Sequence, residues 1–386
     1  MKLQGVRLLS SIALVNLISS LEVQAQDQIQ AQDSAKSKTT LENKLNFGVL
    51  LHTYGTLQQK GYGAGIEAEN SNKWDLGASV YRGRLMADMH ITPKDYIFVE
   101  TELTASVGLD ADKAASIKML DMQYDHTFAS WLTVSAGKML VSHNRNGLQT
   151  ASTLMANDFT YFQYPYNMSA NDPIQNDCGR DVGLNLSGSF SKVGYRLGAF
   201  GGRRDFEGKD KAPIRTVGRI IYNMFDADKY SGTNLGEGKT STFGVGFDTQ
   251  GSYSAFGADY YIDYPLSQKC QITLNTAFSH LNGGSVDAKY SFASLIPEQN
   301  IYFAELGFYF PNSKLQPWAK YERQDICGDV KPTDVVGAGL NWFFNGYRTN
   351  VRLSWQGMSK ETLLLNGTAE KKMYNQIWLQ LQLCTF

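Results

Sequence analysis

From Leu45 onward the chain alternates apolar and polar residues at every second position, over runs too long for an ordinary soluble strand. A period of two sends successive side chains to opposite faces of a β-strand. Sixteen segments read this way: 44–55, 80–92, 95–105, 115–126, 131–141, 180–190, 193–202, 214–223, 241–250, 254–264, 269–280, 300–311, 314–325, 333–345, 347–357 and 372–386. Soluble strands average about five or six residues, whereas tilted strands that cross a bilayer need about nine to eleven. The connectors alternate too. "TPK", "TFAS", "SK", "PLSQ", "NS" and the Asn345-Gly346 pair are short, and 56–79, 142–179, 281–299 and 358–371 are long. Short turns at one rim and long loops at the other describe a transmembrane barrel. Two connectors break the rule. The link 224–240 is long where a short one is due, and "GSY" is short where a long one is due, so a misplaced hairpin is expected there.

The two faces sort by polarity. Phe243, Val245 and Phe247 oppose Gly244, Gly246 and Asp248. Phe256, Ala258, Tyr260, Ile262 and Tyr264 oppose Asp259 and Asp263. Tyr302, Ala304, Leu306, Phe308 and Phe310 oppose Glu305. A soluble sandwich would turn the apolar face to its core; a barrel turns it to lipid and lines its lumen with the other. Length, connector pattern and an even strand count favour the barrel, which also leaves no open edge in lipid. The fold class is therefore all-β, a transmembrane antiparallel β-barrel of about 16 strands. The final "QIWLQLQLCTF" reads as the closing strand, paired with the first. There Trp378 and Phe386 share the parity of Gln376, Gln380 and Gln382, opposite the leucines. A bulge near Cys384-Thr385, or an unpaired Phe386, is expected.

The amino terminus reads as a signal peptide over 1–25. Lys2 and Arg7 precede the short apolar run from Leu8 to Leu21, and "VQA" offers a cleavage site. A polar lead-in occupies 26–43, and the barrel 44–386. The expected location is the cell outer membrane of a Gram-negative cell. With 36 Gly, 21 Tyr, 20 Phe and only 9 Pro among 386 residues, the composition suits many strands with tight turns. A net charge of -1 argues against a nucleic-acid partner, which would require a basic face. Four cysteines, Cys178, Cys270, Cys327 and Cys384, show no framework spacing, so zero to two disulfides are expected.

Several segments resemble the phosphate-selective porin family. "CGRDVGLNLSGSFSKVGYRLGAFGG" at 178–202 and "VSAGKMLVS" at 134–142 match its early hairpins. "FGVGFDTQGSYSAFGADYYIDY" at 243–264, "PWAKYERQDI" at 317–326 and "VVGAGLNWFFNGYRTNVRLSW" at 335–355 match later ones, in the same order. Each piece is degenerate, so order and coverage carry the likeness. The resemblance implies a sixteen-stranded outer-membrane porin, a homotrimer placed by the barrel assembly machinery, with a long third loop folded into the pore. It implies passive passage of small hydrophilic solutes, anions such as phosphate among them. The chain departs from the family's basic constriction, so phosphate specificity is not carried over. Its longest connector, 142–179, the third on the rim of long loops, holds one arginine, Arg145, against Asp158, Asp172 and Asp177.

Pore selectivity comes from diameter and wall charge, so charged residues on the polar face are the candidate site. These are Arg82, Arg84 and Asp88, Glu100 and Glu102, Asp121, Lys138, Arg215 and Arg219, and Arg348 and Arg352. Parity sets Tyr81 opposite Arg82. Basic and acidic groups at one depth would create a transverse field. No catalytic residue, cofactor or metal is expected: the five histidines are scattered, and "GYGAGIE" lacks the spacing of a nucleotide loop. Two other functions compete. A barrel hydrolase would use His143 with Ser142 and Asp158, but adjacent strand residues face opposite ways. A structural or docking barrel would have a plugged lumen.

Overall fold

The computed structural model describes residues 45–62, 72–107, 116–158, 179–204, 212–328, 331–363 and 368–385. The expected signal peptide, the lead-in, Asp172, Asp177, Cys178 and Phe386 lie outside them. Sixteen antiparallel strands close into a barrel in which each strand pairs with its sequence neighbours and the last with the first. They are β1 Leu45–Gln59, β2 Trp74–His90, β3 Asp95–Val107, β4 Ser116–Ala129, β5 Leu132–Leu140, β6 Arg180–Phe190, β7 Val193–Phe200 and β8 Arg215–Asn223. The second half comprises β9 Thr240–Gln250, β10 Tyr253–Ser267, β11 Cys270–Asn282, β12 Gln299–Tyr309, β13 Leu315–Ile326, β14 Thr333–Tyr347, β15 Thr349–Leu363 and β16 Ala369–Cys384. Each expected segment coincides with one strand. No hairpin was misplaced: 224–239 is a long connector on the rim of short turns, and β9 meets β10 through 251–252 alone.

The alternation does what lipid and water demand. On β16, Ile377, Leu379, Leu381 and Leu383 are exposed on the outer surface, while Gln376, Trp378, Gln380 and Gln382 are buried inside. The ladder to β1 runs unbroken through Leu50 opposite Cys384, so no bulge precedes that residue. Thr385 then extends the seam, donating its N–H to Val49 O at 3.0 Å and accepting from Val49 N at 2.8 Å. With every edge paired, the backbone carries no open polar row into the bilayer. Cys270, Cys327 and Cys384 are free thiols.

Two local irregularities re-aim side chains. The β2–β3 register shifts between Val80 and Gly83, and the β1–β2 register shifts between His52 and Thr53 alongside it. This bulge brings Tyr81 inside beside Arg82, against the simple parity expectation. The Tyr81 ring meets Tyr54 at 5.2 Å and Trp378 at 6.2 Å. At the β14–β15 turn the register shifts between Phe343 and Asn345. The chain reverses over 346–348, with Gly346 at φ 53, later than the Asn345-Gly346 pair suggests.

Candidate functional site

Among the described residues, three connectors enter the barrel. The described part of the third long one, 141–158, crosses the lumen from wall to wall. His143 Nε2 lies 2.9 Å from Ser279 Oγ on β11, and Asn275 donates to Asn146 at 2.8 Å. Ala156 N donates to Glu305 on β12 at 2.9 Å, and Asn341 on β14 donates to Met155 O at 2.7 Å. Arg352 on β15 donates to Ala156 O at 3.0 Å, and Gln382 on β16 donates to Ser152 O at 2.9 Å. Asp158 ends the crossing on β2, paired with Arg82 at 2.5 Å and bonded by the Tyr81 hydroxyl at 2.6 Å. The expected inward fold of this loop is thus present in its described part.

Inward glycines are its seats. A Cβ on Gly246 would collide with the His143 carbonyl, and one on Gly307 with the Met155 sulfur. The loop lies flush on β9 and β12 because those positions carry no side chain. Leu154 and Ala151 pack on Leu50 and Cys384 across the β1–β16 seam, and Met155 on Trp318.

Connector 224–239 rises from the opposite rim and meets this loop. Arg145, fully buried, donates to both oxygens of Asp228, at 2.7 and 2.8 Å, and to Ser231 O at 2.6 Å. Its guanidinium lies 3.4 Å from the Tyr261 ring centroid. Burial opposes its charge, yet Asp228 holds its pKa above the usual arginine range. Thr150 N donates to Tyr230 O at 3.1 Å and Gly232 N to Thr153 Oγ1 at 3.0 Å. Below, Asn234 N donates to Asp263 at 3.0 Å and Gln316 to Thr233 Oγ1 at 3.0 Å. The third connector, 283–298, sets Phe292 and Ile296 among Tyr253, Leu281, Ile301, Val335 and Met358.

Among the described residues the lumen is therefore filled unevenly. On β9–β16 the inward Thr242, Asp263, Thr273, Asn275, Gln316, Asn341, Arg352 and Gln380 have no exposure. On β2–β7 the inward Asp88, Glu102, Lys118, Gln123, Asp125, Ser187 and Arg196 are only partly buried, beside the buried Arg84, Glu100, Asp121 and Asp181. Along that second wall run alternating charges. Arg84 pairs with Glu100 at 3.0 Å and Glu102 at 3.3 Å; Arg180 on β6 pairs with Glu100 at 3.3 Å and Asp121 at 3.0 Å.

The candidate residues divide by place. Arg84, Glu100, Glu102 and Asp121 converge in that network, and Asp88 lies nearer the short-turn rim, 3.0 Å from Asn46. Arg82 and Arg352 hold the crossing loop. Arg215 pairs with Asp181 and Asp248 at 3.3 and 2.6 Å, and Arg219 with Asp259 at 2.5 Å, deep in the filled half. Two placements are corrections. Lys138 is on the outer face: it stands opposite Met122 and Val182, both exposed outward, and its Nζ donates to Met119 O at 2.5 Å. It shares the parity of Val134 and Ala136, with Ser135 and Met139 buried on the other side. Arg348 is exposed in the turn between β14 and β15, outside the lumen. The reading from sequence missed Arg180, whose neighbour Asp181 is also drawn inward; the "GRDVG" start of β6 offered the signal.

The hydrolase constellation does not assemble in this structure. His143 faces Ser279, the Ser142 hydroxyl lies beside Asn144, and Asp158 is engaged by Arg82 and Tyr81. Burial pushes the His143 pKa down to about 4, with Asp248 and Asp259 opposing and Arg219 and Arg215 adding to the fall. Among the described residues no cluster of three metal-ligating side chains forms.

No family model matches the chain. No curated protein matches it either. Solved structures do. OprB of Pseudomonas putida superposes with a TM-score of 0.59 at 9% identity, covering 88% of this chain and 94% of that one. An anion-selective porin from Comamonas acidovorans gives 0.58 at 10% identity, over 89% of this chain and 100% of that one. OmpF of Salmonella typhi gives 0.56 at 10% identity, over 89% and 98%. At such identities the likeness is one of fold: the chain is a closed sixteen-stranded barrel of the kind built by outer-membrane porins.

Proposed function

We propose that the protein is an outer-membrane porin through which small hydrophilic solutes diffuse passively along the β2–β7 wall. The observation that carries this reading is the uneven filling of the lumen. One wall is sealed by connectors, while the other keeps partly exposed charged and polar side chains facing inward. Side chains of that type beside a narrow aqueous path set selectivity through charge and width. The wall carries Arg84, Lys118, Arg180 and Arg196 against Asp88, Glu100, Glu102, Asp121 and Asp125. With both signs nearly balanced and acids slightly in excess, the expected ion preference is weak and cationic. The wall gives no support to selectivity for phosphate or other anions, which the sequence resemblance implied.

Purified barrel in a planar bilayer under a potassium chloride gradient tests the proposal. Steady conductance with a small cation-side reversal potential is expected; no conductance would defeat it. A plugged structural barrel is the second reading, favoured by the packed β9–β16 half, and silence in the bilayer would support it. Trimeric assembly is a further part of the proposal. Lys138 on the outward face supports it, since a charge there suits a protein neighbour better than lipid. A monomer by light scattering in mild detergent would remove it.

A further inference from the structure

We infer that connector 224–239 is an autoinhibitory plug, latched to the crossing loop through Arg145 and Asp228, that keeps the β9–β14 half of the lumen shut. The inference rests on the porin reading. Its ground is a set of contacts that a turn at this rim does not need for its own sake. A β-hairpin closes with two to five residues, and the other connectors on this rim, 91–94, 130–131, 191–192, 268–269, 310–314 and 346–348, do so. Connector 224–239 instead reaches inward and bonds five separate elements. Asp228 and the Ser231 carbonyl take Arg145 of the crossing loop. Asn234 bonds Asp263 of β10. Thr233 lies 3.2 Å from Thr273 of β11 and accepts from Gln316 of β13. The Tyr347 hydroxyl, at the end of β14, donates to the Thr233 carbonyl.

The backbone of the connector is also held in a costly shape. Tyr230 and Leu235 adopt φ 56 and φ 50, the left-handed region that residues with a Cβ avoid. Such conformations persist where surrounding contacts over-determine them, and they cluster at switch segments. Release of Asp228 would remove the ion pair between the two segments and leave them joined by bonds to neutral groups alone, Thr150 N to Tyr230 O and Gly232 N to Thr153 Oγ1 among them. The Arg145 guanidinium would then keep the Ser231 carbonyl and the Tyr261 ring, and its backbone N–H the Asp259 carboxylate at 3.1 Å.

The test compares three full-length barrels in planar bilayers: the natural chain, one with 227–238 replaced by a four-residue turn, and Asp228→Asn. Heat-modifiable electrophoretic mobility establishes that each has folded. Conductance scales with open cross-section, so the shortened barrel is expected to conduct roughly twofold more and to admit larger sugars in liposome swelling. Asp228→Asn is expected to flicker between the natural level and that higher level. Equal conductance and size limit in all three would overturn the plug and leave the diffusion path standing. A silent natural barrel beside a conducting shortened one would keep the plug and overturn the resting path. Silence in all three would overturn both. If the shortened chain does not fold, Asp228→Asn decides alone: a folded Asp228→Asn barrel with natural noise overturns the latch.

Discussion

Replacing Arg82 by methionine strands a carboxylate at the far end of the crossing loop. The pair is 2.5 Å long, and its side chains are 4% and 14% exposed. Deleting one member of a buried ion pair costs about 3–5 kcal/mol, because the other charge is left without its partner. Asp158 keeps the Tyr81 hydroxyl and is not wholly enclosed, so a loss of about 2–3 kcal/mol in loop docking is the reasonable figure. At tenfold per 1.4 kcal/mol, undocking becomes roughly 30- to 100-fold more frequent. The Ala156 amide, bonded to Glu305, reports it. Hydrogen exchange read by mass spectrometry on the peptide spanning 143–158 should accelerate by that factor in Arg82→Met. Adding Asp158→Asn should recover most of the protection, since no bare charge then remains. Unchanged exchange in the single variant, or strictly additive losses in the double one, would refute the view that this ion pair holds the loop.

Other outcomes follow from the same geometry. Glu100→Gln with Asp121→Asn removes two of the three carboxylates paired with Arg84 and Arg180 on the permeation wall, so the reversal potential should move toward anions; no movement would place the path elsewhere. Lys138→Leu should leave conductance and ion preference unchanged, because the side chain faces outward. Gly246→Ala should lift the crossing loop from β9, speeding exchange over 143–158 while the barrel still assembles. His143 has its proton affinity depressed to about 4 from the ordinary 6.5 or so, so the undocked loop binds the proton more readily. Docking is therefore intact above about pH 6.5 and weakens as pH falls toward 4, by about 3 kcal/mol at the lower end. His143→Gln should remove that component of the acid response in single-channel noise.

The strands were legible because lipid and lumen impose opposite polarity on alternate residues. The signal is strong on β16, where Leu379 and Gln380 face opposite solvents, and it holds across all sixteen strands. It fails where the period itself slips. The bulge at 80–83 turned Tyr81 inward, and the late turn at 346–348 took Arg348 off the wall. On β5 the alternation is faint: Ser135 and Met139 face in while Val134, Ala136 and Lys138 face out, so charge alone pointed the wrong way. A lysine with a long apolar stem can lie along the outer face and reach a backbone carbonyl. The lumen contents were hardest to foresee. Connector 224–239 showed itself only as a break in the rhythm of short turns, because its meaning lies in contacts such as Asp228 with Arg145, far apart along the chain.

The seam between β1 and β16 has a consequence for the time course of assembly. Fifteen of the sixteen strand pairings join sequence neighbours, and one joins residues as distant as His52 and Gln382, 330 positions apart. Loop-closure entropy grows as the logarithm of length, so this last pairing costs about 3 kcal/mol more than a ten-residue hairpin. Hairpins can therefore add one after another, with the seam as the slow step. Gln382 is bonded there to His52 and to Ser152 of the crossing loop, and Leu154 packs on Leu50 beside it. The loop thus acts as a clasp across the joint, and variants that loosen it should slow the appearance of the mature, heat-resistant form before they alter any current.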